Sequence, residues 1–212
     1  MSKKLTRDFY LEDAVLLSQK LIGKKLIHKT PFGTLSGMIV ETEAYRGMDD
    51  QASHAYPNRN TPRTRIQFGQ GGFAYVYKIY GMYDCFNVVT GEKDQPMSSL
   101  IRAIMPLEGL KEMYKFRKVK KEYDLGNGPG KLCAALKITK EQYGMDLCGD
   151  ELYLEDYKSF TAKEIGVSPR INIDYAKESI NLPWRFYLKD SPYVSKVAKK
   201  YRVDYGESNS VI

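Results

Sequence analysis

Cysteine, histidine and tryptophan are scarce in this chain. Its 212 residues hold three cysteines (Cys85, Cys133, Cys148), two histidines (His28, His54) and one tryptophan. Three cysteines cannot all pair within one chain, and none is spaced C-x-x-C. A disulfide scaffold is close to excluded, and a structural zinc site is not expected. Long apolar runs are also lacking, with none near the ~20 residues that a membrane-spanning helix needs. The opening Met-Ser-Lys-Lys-Leu-Thr-Arg-Asp has no apolar segment, so no signal peptide is expected. The expectation is a soluble protein of a reducing compartment.

Against these absences stand a basic balance and many tyrosines. Lys and Arg number 33 and Asp and Glu 26, a formal net charge of +7, and there are 17 tyrosines. The length suits one large domain or at most two small ones, with a core that needs no staple. At 42% hydrophobic and 28% charged, the composition is ordinary for a globular protein. A positive excess suits a polyanionic partner, usually nucleic acid, although +7 lies within the ordinary scatter of soluble proteins. Arg59, Arg63 and Arg65 fall in an acid-free, turn-rich stretch. Lys111 to Lys121 is strongly basic and reads as a solvated face, and Lys196, Lys199, Lys200 and Arg202 crowd the C-terminal end. Asp146, Asp150, Glu151, Glu155 and Asp156 form an opposing acidic stretch.

Periodicity predicts a helix over 11–22 stopped by Gly23, and strands over 24–30 and 35–45. Residues 46–72 are polar and rich in Pro, Gly, Asn and Arg, a long loop of the kind that often carries function. Strands over 73–79 and 84–90 flank a Tyr80-Gly81-Met82-Tyr83 turn. A strand over 98–104 follows, and Pro106 is expected to open a helix through Val119. A short helix over 131–136 and strands over 150–154 and 184–189 complete the reading. With no repeat and no linker, one α+β domain over 1–212 with a mainly antiparallel sheet fits best, frayed at 1–7 and 206–212.

Two patterns carry chemistry. Glu41 and Glu43 point the same way from one strand, roughly 6.5 Å apart. Carboxylates at that spacing can flank a bond and a water. Taken alone, the pattern more often marks an exposed surface pair. The second pattern is the hairpin, with Tyr75, Tyr77, Tyr80 and Tyr83 within nine residues. Tyr75 reads as core. Tyr80, beside Gly81 at the tip, has little core to join and could wedge between base pairs.

In order along the chain, Ile39-Val-Glu-Thr-Glu-Ala-Tyr45, Thr61-Pro-Arg63, Tyr75-Val-Tyr-Lys-Ile-Tyr-Gly-Met-Tyr83, Leu100-Ile-Arg-Ala103, Pro106-Leu-Glu-Gly109, Gly128-Pro-Gly-Lys-Leu-Cys133 and Arg185-Phe-Tyr187 are found. Together they resemble the 3-methyladenine DNA glycosylases of the mammalian alkyladenine (N-methylpurine) type, from about residue 8 to residue 200. The resemblance implies an α+β domain with a curved, partly barrel-like antiparallel sheet, flanking helices and a protruding β-hairpin. It implies excision of alkylated or deaminated purines from double-stranded DNA, by a monomer without a cofactor, metal or membrane partner. Glu43 matches the base that activates water, with Arg102 and the main-chain carbonyl at Leu188 helping to hold that water. Tyr45, His54 and Tyr77 match the walls that sandwich a flipped base, and Asn87 the residue that would crowd guanine's amine. Tyr80 matches the side chain that fills the gap in the duplex, flanked by Met82 and Tyr83. Thr61 and Lys131 match backbone-contacting positions, and Arg59 and Arg63 are candidate phosphate partners. Glu41 is assigned no role. Gly130 departs from the family's Gly-Pro-Ser-Lys pattern, and the Gly91–Pro96 connection is slightly longer than in the mammalian proteins. A bare domain is expected of a bacterial member, working in the cytoplasm on the nucleoid; a eukaryotic one would be nuclear.

The chemistry asks for such residues. A base inside a duplex must be flipped out before its glycosidic bond can be reached. Stacked aromatics favour a cationic alkylated purine by roughly 0.5–2 kcal/mol. An ionised carboxylate stabilises positive charge growing on the sugar and deprotonates water. The competing reading is a non-catalytic nucleic-acid-binding module of related fold, which gives Glu43 beside Arg102 no purpose. A nucleoside hydrolase would leave the basic loop and Tyr80 unexplained.

Overall fold

A computed structural model describes residues 3–196, in which three short α-helices pack against a curled antiparallel sheet. Helix α1, Ala14–Leu21, starts at Asp13, whose carboxylate accepts from the Val15 N–H at 2.8 Å. It ends before Gly23, at φ +88°. A Cβ there would lie 2.3 Å from the Lys158 carbonyl oxygen, so glycine is needed for both conformation and space. The strands are β1 (Lys25–Thr30), β2 (Gly33–Tyr45), β3 (Ala74–Ile79), β4 (Tyr83–Thr90), β5 (Met97–Glu108), β6 (Leu152–Glu155), β7 (Ile165–Ser168) and β8 (Arg185–Leu188). Helices α2 (Leu110–Arg117) and α3 (Pro129–Leu136) follow β5.

The sheet runs β3-β4-β5-β2-β1-β6, and β8 joins β2 to β7. Strand β2 is the branch point. Residues 33–38 pair with β1 and residues 41–43 with β8, while β5 runs along the other side. A strand that changes partner midway cannot stay flat, and the register irregularities between Ile39 and Thr42 sit at the fork. Leu17, Leu21, Leu26, Ile39, Phe86, Ile101, Ile104, Leu132 and Phe186 form the main core between the helices and the inside of the curl. No helix among the described residues is long and apolar enough to cross a membrane.

One expectation is corrected and one element is added. Pro106 does not open a helix; it lies in β5 opposite Gly37, beside a register shift, where a strand tolerates the missing donor. The left-handed Gly109, at φ +78°, makes the turn into α2 instead. Strand β7 is an addition to the expected elements, because Ile-Gly-Val-Ser holds a glycine and runs into Pro169, a pattern that reads as loop. Residues 3–7 are tied down: Lys4 bridges to Glu155, and Arg7 donates to the Gly71 carbonyl and pairs with Asp146. Residues 206–212, along with Lys199, Lys200 and Arg202, lie outside the described residues.

Candidate active site

The fork in β2 positions two carboxylates. Glu41 and Glu43 are both 0% exposed, so the commoner reading of a solvated pair is wrong. Opposite them the register steps from Ala103 to Ile101 while β2 advances one residue, which makes Arg102 the bulged residue of β5. A bulge re-aims its side chain. Arg102 donates through Nε to Glu41 at 2.9 Å, and its Nη1 lies 3.2 Å from Glu43. Glu41 also accepts from Arg185 Nε at 2.7 Å and from the Ser195 N–H and hydroxyl at 2.7 and 2.8 Å. Burial would raise its pKa, but Arg102 and Arg185 outweigh burial and hold it below the usual range. Three of these donors meet Oε1 and one meets Oε2. Glu43 accepts from the Tyr45 hydroxyl at 2.9 Å and the Ile171 N–H at 2.8 Å. Its three neighbours Tyr45, Arg102 and Ile171 all line the main cavity, so Glu43 lies just beneath the cavity wall.

Aromatic rings form the walls above it. His54 and Tyr77 meet edge to face with centroids 4.7 Å apart. His54 Nδ1 lies 2.8 Å from the Tyr75 hydroxyl, and Arg63 Nη2 lies 3.1 Å from His54 Nε2. A guanidinium can only donate, so Nε2 accepts, and the neutral ring carries its hydrogen on Nδ1. Burial, helped by the charge of Arg63, pushes the imidazole down to about 4, which keeps it neutral at pH 7. Burial drives the Tyr45 and Tyr77 phenols well above their ordinary range, so both remain donors. Cys85 also lines the cavity, and burial raises its thiol to about 11, an unreactive protonated state. Asn87 is buried in β4, its amide donating to the Tyr75 carbonyl at 3.1 Å. With Tyr45, His54 and Tyr77 it encloses a small inner recess of about 40 Å³.

The main cavity, about 1140 Å³, opens from these walls to the hairpin tip. Tyr80 and Gly81 have φ of +51° and +70°, and Met82 N–H returns to the Ile79 carbonyl at 3.1 Å. Positive φ at both central positions gives a type I′ turn. It leaves Tyr80 77% exposed, with Met82 and Tyr83 exposed beside it. Arg59, Thr61, Arg63 and Lys131, the positions expected to contact the DNA backbone, line the cavity, and Lys131 donates to Asn127 at 2.7 Å. Among the described residues, no Asp or Glu lines this cavity. Gly130, where the sequence departs from the expected serine, seats α3 against the hairpin: a Cβ there would lie 3.0 Å from the Tyr83 Cβ. Among the described residues, no three His, Cys, Asp or Glu side chains group to hold a metal ion.

Leu188 stands apart from the other expected positions, and further residues join the site. Leu188, expected to contribute its main-chain carbonyl, pairs with Ile165 in β8 and borders a separate groove with Met38 and Met105. Arg185, three residues earlier, is the one opposite Glu43, and the main chain that meets Glu43 is at Ile171. Arg170 was also missed. Fully buried, it pairs through both Nη atoms with Asp50 at 2.5 and 2.7 Å, donates to the Ala44 carbonyl and sets its guanidinium 4.8 Å from the Tyr45 ring centroid. That pair ties the 46–72 loop to β2. Arg117, within the run read as a solvated face, lines the cavity.

Comparison with known proteins shows the family. The methylpurine-DNA glycosylase family model matches residues 8–192. A protein of Bacillus cytotoxicus, provisionally named a 3-methyladenine DNA glycosylase, is 50% identical over 198 residues, covering 89% of this chain and 97% of its own. Proteins with the same provisional name from Alkaliphilus oremlandii and Desulfitobacterium hafniense are 47% and 46% identical. They cover 91% of this chain each, and 99% and 98% of their own.

Proposed function

The chain belongs to the methylpurine-DNA glycosylase family, and from that premise we propose that it flips damaged purines out of duplex DNA and hydrolyses their N-glycosidic bond with a water activated by Glu43. The substrates are purines of the 3-methyladenine, 7-methylguanine, hypoxanthine and ethenoadenine class, in a base-excision step of DNA repair. The observation that carries this reading is Glu43 itself: a fully buried carboxylate held by Tyr45, Ile171 and Arg102 beneath an aromatic cavity. A protein that merely bound DNA would gain nothing from burying acids behind a cavity that must accept a polyanion.

The residues divide the work. Exposed Tyr80 enters the stack and offsets part of the few kcal/mol that extrusion costs. Arg59, Arg117 and Lys131 at the cavity margin take phosphates, beside the N-terminus of α3, which no side chain caps. The base stacks among Tyr45, Tyr77 and His54, and Asn87 at the inner recess crowds guanine's exocyclic amine, which disfavours guanine without barring 7-methylguanine, whose glycosidic bond is weaker. Glu43 removes a proton from the attacking water and faces the positive charge that develops on the sugar. Arg102 fixes the orientation of that carboxylate.

The test uses duplex oligonucleotides, each with one defined damaged purine, followed by alkaline cleavage at abasic sites. Glu43→Gln keeps the side chain's shape while removing charge and basicity. It should still bind lesion duplex but lose excision by about 10²–10⁴-fold, the usual contribution of a general base. Excision within tenfold of wild type would overturn the assignment.

A further inference from the structure

Both tyrosine walls of the cavity already carry a guanidinium. Arg170 Cζ lies 4.8 Å from the Tyr45 centroid, and Arg63 Cζ lies 4.8 Å from the Tyr77 centroid. The negative face of an aromatic ring attracts one cation, but a second cation on the same ring meets the charge of the first. The two arginines differ in compensation. Arg170 is matched by the bidentate Asp50 carboxylate, as Arg102 is matched by Glu41 and Glu43. Arg63 instead donates to His54, a neutral ring, and among the described residues no carboxylate lines the cavity beside it. Its charge therefore acts on whatever stacks against Tyr77.

We propose that Arg63 is a specificity-determining residue whose charge biases the pocket against bases with a fixed positive charge and toward neutral damaged purines. This rests on the glycosylase reading above. It also alters what the aromatic walls are expected to do. A bare tyrosine sandwich favours a cationic purine, whereas one already engaged by a guanidinium keeps the stacking and loses much of the charge attraction. Arg63 sits in the 46–72 loop on the exposed rim, so its charge can be removed without emptying a core site.

The test is competition binding at pH 6 with two duplexes that differ in one nucleotide, either cationic 7-methylguanine or neutral hypoxanthine. Both carry a 2′-fluoro sugar that resists cleavage. Any contact between Arg63 and phosphate is common to the two duplexes and cancels in their affinity ratio. Arg63→Met should shift that ratio toward 7-methylguanine by roughly 3- to 10-fold, as expected for like charges several ångströms apart near a surface. Arg63→Lys keeps the charge and should leave the ratio within about twofold. An unchanged ratio in Arg63→Met, in protein that still excises both unmodified lesions, would overturn the inference and leave the glycosylase reading intact. An equal shift in Arg63→Met and Arg63→Lys would also overturn it, since shape rather than charge would then be responsible. If the wild-type protein excised neither lesion, the glycosylase reading would fail and take this one with it.

Discussion

Glu41 and Glu43 lie two residues apart on one strand, and their surroundings divide their roles. Glu41 accepts from two arginines and twice from Ser195, which leaves it no freedom to take a proton from water. The sequence assigned it nothing, yet Glu41→Gln should be among the more destabilising changes in the molecule. It would leave Arg102 and Arg185 buried with a missing counter-charge, a defect that typically costs about 3–5 kcal/mol. Urea denaturation would measure this, and a loss under about 1 kcal/mol would mean that the buried network carries little of the fold. Excision at a temperature where the variant stays folded should fall less than in Glu43→Gln. The pattern Glu-Thr-Glu-Ala-Tyr45 made Glu43 and Tyr45 legible, because side chains two apart on a strand share a face. Arg170 was not legible: its carbonyl partner, Ala44, is 126 residues away. Such a contact is created by the closure of the sheet and leaves no local trace.

At the scale of elements, the β3–β4 hairpin is the clearest case of sequence dictating form. Alternating tyrosines set the strand face, and Tyr80-Gly81 set the turn, so both the hairpin and its exposed tip could be anticipated. Its value should depend on having a duplex to enter. Tyr80→Ala is expected to weaken binding to lesion duplex by about tenfold, within the 1–3 kcal/mol per base that aromatic stacking supplies. Binding to the same lesion in a single strand should fall less, since no stack needs filling there. Equal losses on both substrates would show that Tyr80 acts through packing instead. Where the elements were misjudged, pairing overrode local preference. Pro106 usually punctuates, but opposite Gly37 at an irregular step it is carried inside a strand. The bulge at Arg102 is likewise a property of two strands in register, and neither strand's sequence announces it.

Across the whole molecule, charge is segregated by use. Lys4–Asp150, Arg7–Asp146 and Lys24–Asp156 neutralise the acidic stretch away from the cavity, while the cavity lining keeps its cations without acids. The titrating groups of the site make stability depend on pH at both ends. His54 ionises at about 4 in the folded protein against an ordinary 6.5. Between those values the unfolded chain binds a proton that the fold refuses, so stability falls as pH drops from 6.5 toward 4. For a partly exposed ring the loss is about 2 kcal/mol. Below 4 the folded ring is protonated too, and this contribution stops changing. Glu41, held low by its arginines, adds a loss that begins below its ordinary 4.5 and grows as pH falls through its folded value. On the alkaline side Cys85 ionises at about 11 in the fold and 9.0 in the unfolded chain, so stability declines as pH rises across that interval. The expected profile is a plateau from about pH 6.5 to 9 with a fall on each side. Urea denaturation across pH 4 to 10 would trace it, and His54→Gln, which cannot protonate, should flatten the segment between 6.5 and 4. If that segment kept its slope in His54→Gln, the acid sensitivity would belong to other groups, and the neutral, Nδ1-protonated ring between Tyr75 and Arg63 would have to be reassigned.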